Sequence, residues 1–215
     1  AWKSLSAAVK GNIRGLCGVS VGAASSLLWA VGDDGSILEG GSGGAFQLQH
    51  LAGTPLEGCY ASASDAIWVV GEQGTILRGG QGGATTWIKE TTQTSQTLRA
   101  IAPGPVGALF AVGDAGTVLR RDAKGGWSAE PSGVSQRLWA LWGERSAAGR
   151  LWAVGEGATL LRRDSKGTWA RGDTEGLGST TDLLALHGAR GKSGSTLTLW
   201  VAGRGGLIAR RAVGP

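Results

Sequence analysis

The sequence predicts an all-β fold, and three observations carry that prediction. First, one hairpin-like stretch recurs five times: LWAVGDDGSIL from Leu28, IWVVGEQGTIL from Ile67, LFAVGDAGTVL from Leu109, LWAVGEGATLL from Leu151 and LWVAGRGGLIA from Leu199. Each copy is an apolar run led by an aromatic, a tight Gly-rich turn and a second apolar run, which is the signature of a β-hairpin. Second, the copies repeat with a period near 40 residues, which points to a propeller or array. Third, of 215 residues 40 are Gly, without a collagen-like period, and they cluster beside the turns where positive φ is required. The fold expected is a five-bladed β-propeller of four-stranded antiparallel blades, closed by the N-terminal strand completing the last blade.

Four strand-like segments align within each repeat. The first reads IRGL from Ile13, LEGC from Leu56, LRAI from Leu98, LWAL from Leu138 and LLAL from Leu183. The second carries an aromatic anchor: Trp29, Trp68, Phe110, Trp152 and Trp200. The third follows the turn, as SIL, TIL, TVL, TLL and LIA, and the fourth opens with Phe46, Trp87, Trp127 or Trp169. Short strands with apolar residues on both faces suit blades stacked between neighbours.

The fifth repeat runs out of chain before its fourth strand. From second-strand to fourth-strand aromatic the separation is 17 in repeats one, three and four, and 19 in repeat two. Counted from Trp200 through Pro215 and on to Trp2, it is again 17. The segment AWKSLS is therefore expected to complete the last blade and remove the free edges of an open array. A single domain over 1–215 follows, with blades at about 12–50, 55–91, 97–131, 137–173 and 182–215, the last joined by strand 1–8.

WVVGEQGTILRGGQGGATTW (Trp68–Trp87) resembles the repeats of photosystem II assembly-factor-like propellers and of bacterial Asp-box (BNR) proteins. The resemblance covers nearly the whole chain and is specific to a blade type. RDSKGTW (Arg163–Trp169) keeps the Asp, Gly, Thr and Trp of an Asp-box at altered spacing, and RDAKGGW lacks the Thr. Such repeats are found in many secreted or periplasmic bacterial propellers, so the resemblance implies a periplasmic or extracellular setting. A start at Ala1 without Met is what removal of a signal peptide or initiator Met would leave, and also what cutting from a longer chain would leave. Five-bladed closure is similar, by architecture only, to the tachylectin lectins.

In the usual propeller topology the turns between second and third strands share one side of the ring, which receives Asp33, Asp34, Glu72, Asp114 and Glu156. The loops between third and fourth strands share the other, which receives Arg78, Arg120, Arg121, Lys124, Arg162, Arg163, Lys166, Arg210 and Arg211. A ring polarised from acidic to basic is expected. The carboxylates are near-identical copies at hairpin turns, where Asp accepts turn amides, whereas glycosidase carboxylates need two different environments. A sialidase-like site would require an arginine triad and a tyrosine nucleophile, and the single Tyr60 sits at the end of a first-strand segment. The chain is therefore read as non-enzymatic.

The candidate binding residues are Arg78, Arg120, Arg121, Arg162, Arg163, Lys166, Arg210 and Arg211, whose guanidinium forks and ammonium match carboxylate or phosphate oxygens. The bland alternative is a solvated edge, partly neutralised by Asp122 and Asp164. Nucleic acid is disfavoured, because no exposed aromatics interleave with these arginines. Of the 10 tryptophans, those at second- and fourth-strand positions recur in blade after blade and read as packing. Trp139 and Trp142 occur only in repeat four and are candidates for a specific contact. The extended loops ERSAAGR (Glu144–Arg150) and ARGKSGST (Ala189–Thr196) also break the repeat symmetry. The GKS within the second is not a phosphate loop, since Leu186 stands where its first Gly belongs.

No motif calls for a cofactor or a metal: His50 and His187 are isolated, and Cys17 and Cys59 form neither a CxxC pair nor a ligand cluster. Both cysteines are expected to be small buried residues, with a disulfide the lesser alternative. No apolar run approaches a membrane span. The function expected is a non-enzymatic binding or scaffold module that docks a protein partner through polarised faces. A lectin carrying repeated inter-blade sugar sites is the alternative, and a glycosidase a minor one. The partner is thus a protein or a glycan, and the net charge of +5 allows an acidic one.

Overall fold

The computed structural model describes residues 9–22, 25–41, 44–79, 86–144, 150–191 and 196–214. Trp2 and its expected strand, most of the Glu144–Arg150 loop and the centre of the Ala189–Thr196 loop lie outside the described residues. The described chain is all-β apart from short 3-10 turns, and no helix in it is long and apolar enough to cross a membrane. It forms two compact units, Ala1–Ile101 and Ala102–Pro215.

The first unit holds two antiparallel meanders. One comprises β1 (Ile13–Ser20), β2 (Ser26–Gly32), β3 (Ser36–Gly41) and β4 (Gln47–Leu51); the other β5 (Leu56–Ala63), β6 (Ala66–Gly71), β7 (Ile76–Gly79) and β8 (Ile88–Lys89). Their facing sides share one core, in which Trp29, Val31 and Ile37 meet Leu56, Ile67 and Val69. The unit boundary falls within β9 (Leu98–Pro103), which pairs with β10 (Leu109–Gly113), β11 (Val118–Arg121) and β12 (Trp127–Ala129) in that order.

The second unit continues with β13 (Leu138–Gly143), β14 (Leu151–Gly155), β15 (Thr159–Arg163) and β16 (Trp169–Arg171). The last sheet has three described strands: β17 (Leu183–Arg190), β18 (Leu197–Gly203) and β19 (Ile208–Val213). Trp152 and Val154 of β14 pack against Leu183, Leu197, Leu199 and Val201 of that sheet. Apolar residues on both strand faces therefore serve stacked sheets, as the repeat pattern requires. All five first strands, second strands and turns fall where the repeats place them. The aromatic anchors Trp29, Trp68, Phe110 and Trp152 are 1, 7, 0 and 3% exposed.

The hairpin turns explain their own composition. Gln73–Gly74, Ala115–Gly116, Gly157–Ala158 and Gly205–Gly206 all have φ between 53° and 77°. Two consecutive positive φ values are what a two-residue turn needs to match the twist of its strands. The Gly closing β6, β14 and β18 has a second reason. A Cβ at Gly71, Gly155 or Gly203 would run into the backbone carbonyl of Pro55, Arg137 or Asp182, at the start of the same sheet's first strand.

The cysteines depart from expectation. Cys17 on β1 and Cys59 on β5 are disulfide-bonded, with Cα atoms 5.7 Å apart, and both are half-buried. Their separation of 42 residues is about one repeat, which sets them on first strands of adjacent sheets. Sequence spacing gave no local signature of the bond, because the pairing is made by sheet stacking.

Candidate functional site

The loops between third and fourth strands in the second unit are built by their aspartates. Asp122 Oδ1 accepts the amides of Lys124 and Gly126 at 2.8 and 2.9 Å, and Asp164 Oδ1 accepts those of Lys166 and Thr168 at 2.9 and 2.8 Å. Gly125 and Gly167 close the loops at φ 92° and 91°. Donation first by the Gly126 amide to one carboxylate, and by the Thr168 amide to the other, holds both below the ordinary aspartate range. DAKGGW and DSKGTW are thus one loop with the same bonding, and each presents a lysine outward.

Between these loops lies a groove of about 500 Å³. Its lining includes Pro105, Val106, Phe110, Arg120, Arg163 and Lys166. Val106 is 89% exposed and held at φ 54°, where a β-branched residue is strained. Arg163 is half-buried in the wall: its guanidinium makes two 2.8 Å bonds to Glu130 and lies 4.9 Å over the Phe110 ring. Trp169 Nε1 donates to the same carboxylate at 2.9 Å. Arg120 sits 4.0 Å from Glu130 and its side chain is 45% exposed. Arg163 positions the groove, while Arg120 and Lys166 offer charge to solvent.

The remaining candidate arginines divide by strand alternation. Arg162 is exposed beside a second groove of about 480 Å³ that Arg171, Asp173 and Arg211 also line. Arg210 is exposed on β19, and Arg211 pairs with Asp173 at 2.6 Å. Arg121 is half-buried and engaged. In the first unit, Arg78 lies 5.5 Å over the Trp68 ring. The groove thus brings together Arg120, Arg163 and Lys166, and leaves Arg78 elsewhere. Sequence reasoning missed Phe110, Val106 and Glu130 as parts of this site. The Pro and Gly residues around Val106 mark a turn, but nothing local links Glu130 to Arg163, 33 residues away.

The acidic side carries its own cations, which the polarised-ring expectation did not include. Arg14 bonds Asp33 at 2.9 Å, Arg204 bonds Asp182 at 2.9 Å, and Arg137 bridges Asp114 at 2.8 Å and Glu156 at 3.2 Å. Asp33 also accepts the side-chain and backbone N–H of Asn12, which hold its carboxyl below the ordinary range. These carboxylates tie turns to strand starts. Of the two asymmetric tryptophans, Trp139 lies under the Arg137 guanidinium at 4.9 Å. Trp142 packs 5.7 Å from the Trp152 ring and close against Gly188, so its asymmetry has a packing reason. Tyr60 stacks on Trp68 at 6.4 Å.

No protein-family model and no curated protein sequence matches the chain. Solved structures do. The structure of YCF48 bound to a D1 peptide superposes with a TM-score of 0.66 at 17% identity, over 95% of this chain and 64% of that one. Virginiamycin B lyase from Staphylococcus aureus gives 0.68 at 12% identity, over 94% and 69%. YCF48 from Cyanidioschyzon merolae gives 0.59 at 15% identity, over 86% and 66%. This chain therefore spans about two thirds of the length of each. At these identities the likeness is one of fold, and the fold is that of a β-propeller.

Proposed function

We propose that the chain is a non-enzymatic binding module that docks a protein partner, with an acidic, apolar-containing segment seated in the groove of Phe110, Val106, Arg120 and Lys166. The observation that carries this reading is the groove itself. The exposed Val106 beside two exposed cations, Arg120 and Lys166, suits an acidic segment that also carries an apolar side chain, and the guanidinium fork of Arg120 can bind its carboxylate in bidentate fashion. The peptide held by YCF48 in its complex supports a propeller used in this way. The lyase among the similar structures has an enzymatic name, and the proposal is built on the groove rather than on either neighbour. The five sheets are taken as the blades of one five-bladed domain over 1–215. The Cys17–Cys59 bond supports a periplasmic or extracellular setting, where disulfides persist.

The test is an array of synthetic peptides screened at low and moderate salt, with a glycan array beside it. The wild-type chain is expected to retain acidic peptides carrying Leu or Phe, with retention weakened by salt. The double variant Arg120→Glu, Lys166→Glu should bind them at least about tenfold more weakly. Equal retention by the variant, or salt-resistant binding to a neutral sugar in place of peptides, would overturn the proposal.

A further inference from the structure

Within the second unit, the sheet of β13–β16 and the sheet of β17–β19 leave a trench along their facing sides. It consists of two adjoining hollows, of about 500 and 480 Å³, which share Leu160, Asp173, Leu199 and Arg211 as lining. Strand alternation decides what faces it. Leu160 and Arg162 stand two apart on β15 and so project from one side of that strand. Leu199 lies opposite Arg211, and Val201 opposite Ala209, in the β18–β19 pairing, so these four share one side of the last sheet. That side is the one packed towards Leu160, since Leu160, Leu199 and Trp152 meet in one cluster. The floor is therefore aliphatic, with Leu199 and Val201 5 and 7% exposed. Arg162 and Arg211 line one hollow together, whereas Leu177, Val201 and Ala209 line the other.

The charges favour an anion. Across the two linings four arginines, Arg162, Arg171, Arg210 and Arg211, stand against three carboxylates, Asp164, Asp173 and Glu175. Two of those carboxylates are engaged: Asp164 by the amides of Lys166 and Thr168, Asp173 by the amide of Glu175 and by Arg211 at 2.6 Å. The Arg211–Asp173 pair is 59 and 51% exposed, and an ion pair so open to water holds its arginine weakly. Arg162 is exposed and makes no ion pair among the described residues.

We propose that this trench is a small-molecule site for an amphiphilic anion, a free alkyl carboxylate whose head lies between Arg162 and Arg211 and whose chain runs over Leu199, Val201 and Ala209. Guanidinium forks match carboxylate oxygens, and a concave apolar hollow with its polar groups gathered at one end is the usual form of such a site. A sugar would leave hydroxyls unpaired on the aliphatic floor, and an uncharged chain would leave the arginines unused. The site contains none of Phe110, Val106, Arg120 and Lys166, so it and the docking groove can fail separately.

Calorimetric titration of the full chain with decanoate, kept below its micelle concentration, tests the proposal, with acetate and decyltrimethylammonium as comparison probes. Decanoate should bind at one site per chain. Acetate, which lacks the chain, and decyltrimethylammonium, which carries the opposite charge, should each bind at least about tenfold more weakly. Arg162→Gln combined with Arg211→Gln changes two exposed side chains and should weaken decanoate by at least about tenfold. Absence of decanoate binding, equal binding of decyltrimethylammonium, or an affinity for decanoate untouched by the double change would each overturn the proposal.

Discussion

Two adjacent arginines at the end of a third strand have different fates. Arg162 faces solvent, while Arg163 turns the other way onto Phe110, Glu130 and Trp169. Read from the sequence, both arginines share one basic face; the strand's alternation separates them, and the inward partner Glu130 lies on the neighbouring sheet, where no local pattern points to it. The loop that follows is legible at residue scale, since Asp164 stands where a side chain can collect the amides of Lys166 and Thr168. This arrangement has a pH signature. The folded carboxylates of Asp164 and Asp122 titrate below their unfolded values, so their contribution is full above the unfolded pKa, near pH 4, and is lost as pH falls through the folded one. Acid unfolding followed by tryptophan fluorescence should therefore steepen below about pH 4. Asp164→Asn combined with Asp122→Asn should flatten that limb by lowering stability at neutral pH, so that wild type and variant converge in acid. Superimposable acid limbs would show that the loop amides do not hold these carboxylates.

At the scale of the element, each hairpin is a compromise between turn geometry and residue choice. The turns of β6–β7, β10–β11 and β14–β15 place Gln73, Ala115 and Ala158 at positive φ, a region that costs a non-Gly residue about 1 kcal/mol or more. Ala115→Gly should relieve that strain, and the extra freedom of glycine in the unfolded chain returns part of it. The expected net change is a stabilisation of about 0.5 kcal/mol, read from the midpoint of denaturant unfolding. A loss of stability would mean that the Ala115 methyl is favourable where it stands. The hairpins themselves were legible from apolar runs flanking Gly-rich turns. Less legible was the fourth strand, which shrinks to Ile88–Lys89 in the second sheet, with Trp87 just outside it. Packing of that ring on Gly79, rather than a long ladder, holds the outer segment there.

For the whole molecule, the repeat dictates stacked sheets, and the one covalent tie across a stack is the feature that periodicity concealed. Neither cysteine recurs in the other repeats, so no pattern singles them out, yet stacking of β1 on β5 sets them within bonding distance. The bond closes a loop spanning 42 residues within the first unit. Loop-closure entropy for that length corresponds to about 4 kcal/mol, removed from the unfolded ensemble rather than added to the folded contacts. In a repeat fold, stability is a sum of local and nearest-neighbour terms, so the effect should be regional. Reduction, or the double change Cys17→Ser and Cys59→Ser, should lower the opening free energy of β1–β7 amides by about 3–4 kcal/mol in hydrogen exchange. Amides of β13–β16 should move much less. A uniform drop across both groups of strands would mean that the chain unfolds as one cooperative body and that the tie stabilises all of it. Unchanged exchange after reduction would show that stacking alone fixes β1 on β5, leaving the disulfide energetically idle.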